Sequence, residues 1–164
     1  MGVTDEVLAN NAEFAEAFRS GDLPKAPRRK VAVVACMDAR LDPARALGLH
    51  DGDAHVIRNA GGVVSEDVIR SLIISQRLLG TEAVILVHHT DCGMTSFSDD
   101  VVKAEIEAEI GIRPPFALEA FSDVEADVRQ SMARLVASPF ISTKIAVRGF
   151  VYDVTTGALT EVID

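Results

Sequence analysis

Two stretches, VAVVA at 31–35 and AVILV at 83–87, are apolar at every position and too short for a buried helix. A strand with one wet face would alternate, so unbroken runs of this length read as strands covered on both faces. Segments with helical punctuation lie between and beyond them. Asp42-Pro43 opens a short helix that Gly48 closes. A brief strand, HVIR at 55–58, follows the Asp51-Gly52 turn. Ser65 caps a helix with Glu66 and Asp67 in its first turn, Gly80 past its end, and Val68, Leu72 and Leu79 on one face. Ser98 starts another, ended by Gly111 and Pro114-Pro115. Ser122-x-x-Glu125 reads as the capping box of a helix that runs to Pro139. Residues 144–153 and 159–163, joined by the Thr156-Gly157 turn, read as a terminal hairpin. The alternation predicts an α/β fold, a mainly parallel sheet with one antiparallel edge strand, flanked by helices.

Ahead of the first strand, residues 5–18 read as a helix with Thr4 as N-cap and a sparse apolar stripe of Leu8, Phe14 and Phe18. Gly21, Pro24 and Pro27 then interrupt the chain. Residues 1–27 are thus expected to form a helical arm and linker, suited to docking on a neighbouring subunit. Residues 28–164 form the α/β core, and 1–164 one domain. At 48% hydrophobic, the 164 residues hold enough apolar material for a core. The longest apolar run, 31–37, falls well short of the roughly 20 residues that span a membrane. The first residues lack the basic and apolar regions of a signal peptide. A formal charge of −9 opposes binding to nucleic acid. The expectation is an acidic cytoplasmic protein with no membrane or nucleic-acid partner.

The reactive side chains fall where such a sheet binds ligands, beyond the carboxyl ends of its strands. Cys36, Asp38 and Arg40 follow the first strand. Arg58, Asn59, Gly61 and Gly62 follow the second, and His88, His89, Asp91 and Cys92 the third. Cys36 and Cys92 are the only cysteines. Isolated thiols in a reducing compartment are apolar fillers, metal ligands or catalytic groups, and convergence on one sheet edge disfavours the first. Two thiolates and an imidazole suit zinc. His89-x-x-Cys92 puts nitrogen and sulfur on one loop, and Cys36 approaches from the neighbouring segment. Water, a carboxylate or His88 is left for the fourth position, and three ligands with an open place is the catalytic arrangement. Successive strand residues face opposite ways, so only one of His88 and His89 can face the metal, and the spacing to Cys92 favours His89. His88 is then a packed or hydrogen-bonded neighbour, and His50 and His55 are ordinary surface or satisfied histidines.

Asp38 and Arg40 read either as a turn-stabilising ion pair or as part of a metal site. In the second case the carboxylate accepts a hydrogen bond from zinc-bound hydroxide, while Arg40 grips it by two parallel bonds and keeps it off the metal. Arg58-Asn-Ala-Gly-Gly62 matches neither G-x-G-x-x-G nor the Walker pattern. Asp42 stands where a Cys-x5-Arg phosphatase needs arginine. Gly61 and Gly62 are expected to let backbone pass close to the site, and Arg58 and Asn59 to hydrogen-bond the loop bearing Asp38.

Taken together, Cys36-Met-Asp38-Ala-Arg40, Arg58-Asn-Ala-Gly-Gly62 and His89-Thr-Asp-Cys92-Gly93 resemble the β-class carbonic anhydrases, whose C-x-D-x-R and H-x-x-C motifs are both intact. The resemblance runs from about residue 31 to 157. It implies zinc, one ion per chain, on Cys36, His89 and Cys92, and a catalytic dyad of Asp38 and Arg40. Arg58, Asn59, Gly61, Gly62 and Gly93 would support the site and substrate. It also implies a homodimer or dimer of dimers, with the N-terminal helix embracing a second subunit. The implied reaction is zinc-hydroxide-dependent, reversible hydration of carbon dioxide to bicarbonate and a proton. Two thiolate ligands would make the zinc-bound water less acidic than three imidazoles, so activity should rise above neutral pH. Asp38 released from Arg40 onto zinc would shut the site. Met94 departs from the second glycine of many members, and long C-terminal extensions are lacking. Carbonyl sulfide and carbon disulfide hydrolases share the same ligands and dyad, so carbonyl sulfide hydrolysis is the alternative. A noncatalytic zinc module would leave the Asp38–Arg40 pair unexplained. A dithiol redox protein fits poorly with the lack of C-x-x-C.

Overall fold

A computed structural model describes residues 2–163. The sheet has five strands in the order β2-β1-β3-β4-β5: β1 (Val31–Cys36), β2 (Ala54–Asn59), β3 (Ala83–His89), β4 (Ala146–Tyr152) and β5 (Leu159–Val162). The first four are parallel to their neighbours, and β5 returns antiparallel along β4. The expected mainly parallel sheet with one antiparallel edge strand is therefore present. Around it lie α1 (Val3–Ala17), α2 (Pro43–Ala46), α3 (Glu66–Arg77), α4 (Asp99–Ile110) and α5 (Val124–Ala137).

The unbroken apolar runs mark the strands that two layers cover. Every residue of β1 is buried. Its Ala32 and Val34 meet Val68 and Leu72 of α3, Leu135 of α5, and Val84 and Leu86 of β3. Val33 and Ala35 point the other way, into a second cluster with Leu41, Val87 and Met94. The same alternation separates the adjacent histidines of β3. His88 shares a face with Val84 and Leu86, and its Nε2 meets Asp127 Oδ2 of α5 at 2.7 Å. His89 shares the opposite face with Val87, toward the second cluster.

Element boundaries differ from expectation where a nearby acceptor outcompetes the expected cap. α1 begins at Val3 rather than residue 5, because Asp5 reaches back to accept the Gly2 N–H at 2.9 Å; Thr4 lies inside the helix. α5 is capped by Asp123, not Ser122, with Asp123 Oδ1 accepting the Ala126 N–H at 2.9 Å. β4 starts at Ala146, two residues late, because Ile145 N–H still bonds Ser142 O in the preceding turn. No residue of α1 is buried, and Leu8, Phe14 and Phe18 stand exposed on it. Among the described residues no helix is long and apolar enough to cross a membrane.

Candidate metal centre and active site

β1 and β3 end side by side, and their last residues carry the site. Cys36, His89 and Cys92 each offer one ligand atom, all within 4.8 Å of one another, and all three residues are buried. His89 Nδ1 donates to Thr90 O at 2.8 Å, which fixes the ring and leaves Nε2 to face the sulfurs. That Nε2 is buried without a hydrogen-bond partner. A buried ring nitrogen lacking a partner is costly unless something binds it. A backbone carbonyl on the far nitrogen is also the usual support for a metal-ligating histidine. The group fits a metal ion.

Burial pushes the Cys92 thiol up to about 11, and the neighbouring Cys36 adds to the rise. Burial also resists ionisation of Cys36, but the facing His89 ring and the Asp38 backbone bring its thiol below the ordinary value. His89 shows the converse: burial pulls its pKa down, yet the Cys36 sulfur raises it overall. The facing His89 ring thus eases ionisation of Cys36, while burial makes the Cys92 thiol resist it.

Asp38 follows on the loop after β1. Arg40 Nε donates to its Oδ1 at 3.0 Å and Nη2 to its Oδ2 at 2.8 Å, the expected two parallel bonds, and the Arg40 backbone N–H adds a third at 2.8 Å. These bonds from Arg40 hold the Asp38 carboxyl well below the usual carboxylate range. Asp38 Oδ2 lies 3.7 Å from His89 Nε2, so the carboxylate borders the Cys-His-Cys group while Arg40 holds both of its oxygens.

Arg58, at the end of β2, braces that loop from beneath. Nε donates to Cys36 O at 3.0 Å, and Nη2 donates to Asp38 O and Leu41 O, each at 2.8 Å. Asn59 departs from expectation. Its side chain donates to Val63 O at 2.9 Å rather than to the Asp38 loop, which it meets only through its backbone carbonyl and the Met37 N–H. Gly62 is demanded by close approach, since a Cβ there would stand 2.8 Å from Cys36 N. A Cβ on Gly61 would press on Phe121, Val63 and Met94, whereas one on Gly93 would meet open space.

Beside the Cys36, His89 and Cys92 group opens a cleft of about 400 Å³, walled by Met37, Ala60, Gly61, Met94 and Phe97. Gly61 and Met94 stand out in the sequence, but Met37, Ala60 and Phe97 do not, because these walls come from three separate segments. The bond between Arg40 and Asp91 has only one signal in the sequence, an acidic residue between His89 and Cys92.

The carbonic anhydrase family profile matches residues 31–112, which span both motifs. Beta-carbonic anhydrase 1 of Mycobacterium tuberculosis is 57% identical over 162 residues, 99% of each chain. The chain belongs to the β-carbonic anhydrase family. The crystal structure of carbonic anhydrase from Streptococcus mutans agrees, with a TM-score of 0.94 and 40% identity over 99% of both chains. A carbon disulfide hydrolase of Acidithiobacillus thiooxidans is a more distant relative, 34% identical over 80% of this chain and 76% of its own. Family membership thus accounts for both the sheet and the Cys-His-Cys group of this β-carbonic anhydrase.

Proposed function

We propose that this protein is a carbonate dehydratase, catalysing reversible hydration of carbon dioxide to bicarbonate and a proton with one zinc ion per chain on Cys36, His89 and Cys92. The observation that carries the reading is the buried, unpartnered His89 Nε2 facing two thiols, with the Asp38 carboxylate held 3.7 Å away by Arg40. Bound zinc supplies Lewis acidity that makes water acidic near neutral pH. Asp38 is kept deprotonated by Arg40 and is acceptor-only, so it takes a hydrogen bond from the reacting water and aims a lone pair at the cleft. The apolar walls suit carbon dioxide, which has no proton to donate. Arg58 keeps the 36–41 loop in place, and Gly62 lets β1 and the 60–62 turn close around it. Asn59 supports that turn through Val63, and Gly93 borders the cleft.

Two further parts of the reading concern the whole chain. Residues 1–164 act as one domain whose exposed α1 packs on a second copy in a homodimer or dimer of dimers. The free thiols Cys36 and Cys92 fit a reducing cytoplasm. Higher identity to carbonic anhydrases than to carbon disulfide hydrolases favours carbon dioxide as substrate. The test is a direct comparison of carbon dioxide, carbonyl sulfide and carbon disulfide turnover on protein of known zinc content. Carbon dioxide should be preferred by at least a hundredfold in kcat/KM. Preference for carbonyl sulfide or carbon disulfide would make the protein a hydrolase on the same centre.

A further inference from the structure

The grip of Arg40 on Asp38 has a third member. Asp91 lies on the loop between the ligands His89 and Cys92, and Arg40 Nη1 donates to its Oδ2 at 2.8 Å. Arg40 Nη2 donates to the Asp91 backbone carbonyl at 2.9 Å. The same guanidinium gives Nε–H and a second Nη2–H to the two oxygens of Asp38. Four of its five N–H groups are thereby committed, two to each aspartate. Asp91 adopts a left-handed backbone, φ 54°, which a residue with a Cβ takes only against steric resistance. From that conformation both its carbonyl and its carboxylate reach one guanidinium. Its side chain is 80% exposed, so the ion pair adds little to folding stability. Strain retained at an exposed position beside a reactive centre needs another purpose.

We propose that Asp91 is a positioning residue, which fixes the Arg40 guanidinium and through it keeps Asp38 turned away from the metal so that the fourth coordination place stays open. Among the described residues, the Arg40 side chain bonds only Asp38 and Asp91. Without Asp91, nothing independent of Asp38 orients Arg40, and the two can part together from the observed arrangement. Asp38 Oδ2 already stands 3.7 Å from His89 Nε2, close enough for a freed carboxylate to compete for the metal. The strained loop that carries a ligand thus also carries the restraint on its competitor.

The inference rests on the dehydratase reading only for its activity readout, so the test uses a second one. Asp91→Gly removes the carboxylate while suiting the left-handed backbone, and Asp91→Asn keeps shape and an acceptor but loses the charge. Both are prepared with zinc, and also as cobalt(II)-substituted protein titrated with azide and followed by visible absorption. The expected result is one metal per chain, a midpoint of thermal unfolding no lower than wild type, and azide affinity about tenfold weaker in Asp91→Gly and less so in Asp91→Asn. Carbon dioxide kcat/KM should fall in the same order. In an Asp38→Asn background, Asp91→Gly should cost no further azide affinity, because the competing carboxylate is already gone. Azide affinity within twofold of wild type in both single variants would overturn the proposal. So would an equal loss in the Asp38→Asn background, or loss of metal from both variants, which would make Asp91 a support of the ligand loop alone. A wild type inactive on carbon dioxide would refute the dehydratase reading while leaving the azide comparison valid.

Discussion

Gly62 has a positive φ of 74°, and a Cβ there would lie 2.8 Å from Cys36 N, 3.0 Å from Ala35 C and 3.1 Å from Val87 O. All three contacts are backbone, which cannot swing aside. Gly62→Ala combines left-handed strain with overpacking and should cost about 3 kcal/mol in urea unfolding, with metal content reduced because β1 is displaced at Cys36. Gly93→Ala meets nothing within 4 Å and should stay within about 0.5 kcal/mol of wild type. Equal costs for the two would refute this account of the turn. Much of the residue-scale site was legible in the sequence. Cys36, His89 and Cys92 were legible because ligand chemistry and strand-end placement converge on them, and strand parity separated His89 from His88. Asp91 was not. Its bond to Arg40 spans 51 positions and depends on a left-handed turn that an Asp codon does not announce.

At the scale of elements, two buried carboxylates tie segments together. Asp127 of α5 holds His88 of β3 through a bond at 2.7 Å, and the histidine is fully buried. Asp127→Ala leaves that ring nitrogen without a partner and should destabilise the fold by about 1–3 kcal/mol, measured by chemical denaturation. Asp53, just ahead of β2, takes the His50 N–H at 3.0 Å, Arg28 at 3.0 Å and Arg29 at 3.3 Å, joining the segment that leads into β1 to the start of β2. The His50 backbone bond first, then the two arginines, holds its carboxyl below the ordinary value. A carboxyl depressed in the folded state contributes stability above its unfolded pKa of about 3.9 and loses it as pH falls through the folded value. Wild type should therefore exceed Asp53→Asn in stability at pH 6, with the difference shrinking below pH 4. A difference that grows on acidification would contradict the assignment. Strands β1 and β3 were readable because full burial erases alternation, while the caps of α1 and α5 slipped because Asp5 and Asp123 outbid the neighbouring hydroxyls as acceptors.

For the whole molecule, the sheet order places the ends of β1, β2 and β3 side by side, so residues far apart in sequence form one centre. Strand and helix alternation made that edge predictable; the cleft walls were not, since Met37, Ala60 and Phe97 meet only through the folded loops. α1 contributes nothing to the core and exposes Leu8, Phe14 and Phe18. Deleting residues 2–18 should convert a dimer into monomers in sedimentation equilibrium, and a full-length chain that is already monomeric would contradict the proposed arm. The central claim is that one zinc on Cys36, His89 and Cys92 makes this fold a carbon dioxide hydratase. Stopped-flow hydration at mildly alkaline pH, on metal-free protein titrated with zinc, tests it most directly. The account predicts activity rising linearly to saturation at one equivalent per chain, with turnover on the order of 10⁴ per second or more, within the range up to about 10⁶ that zinc supports. Negligible hydration at one bound zinc per chain would contradict it.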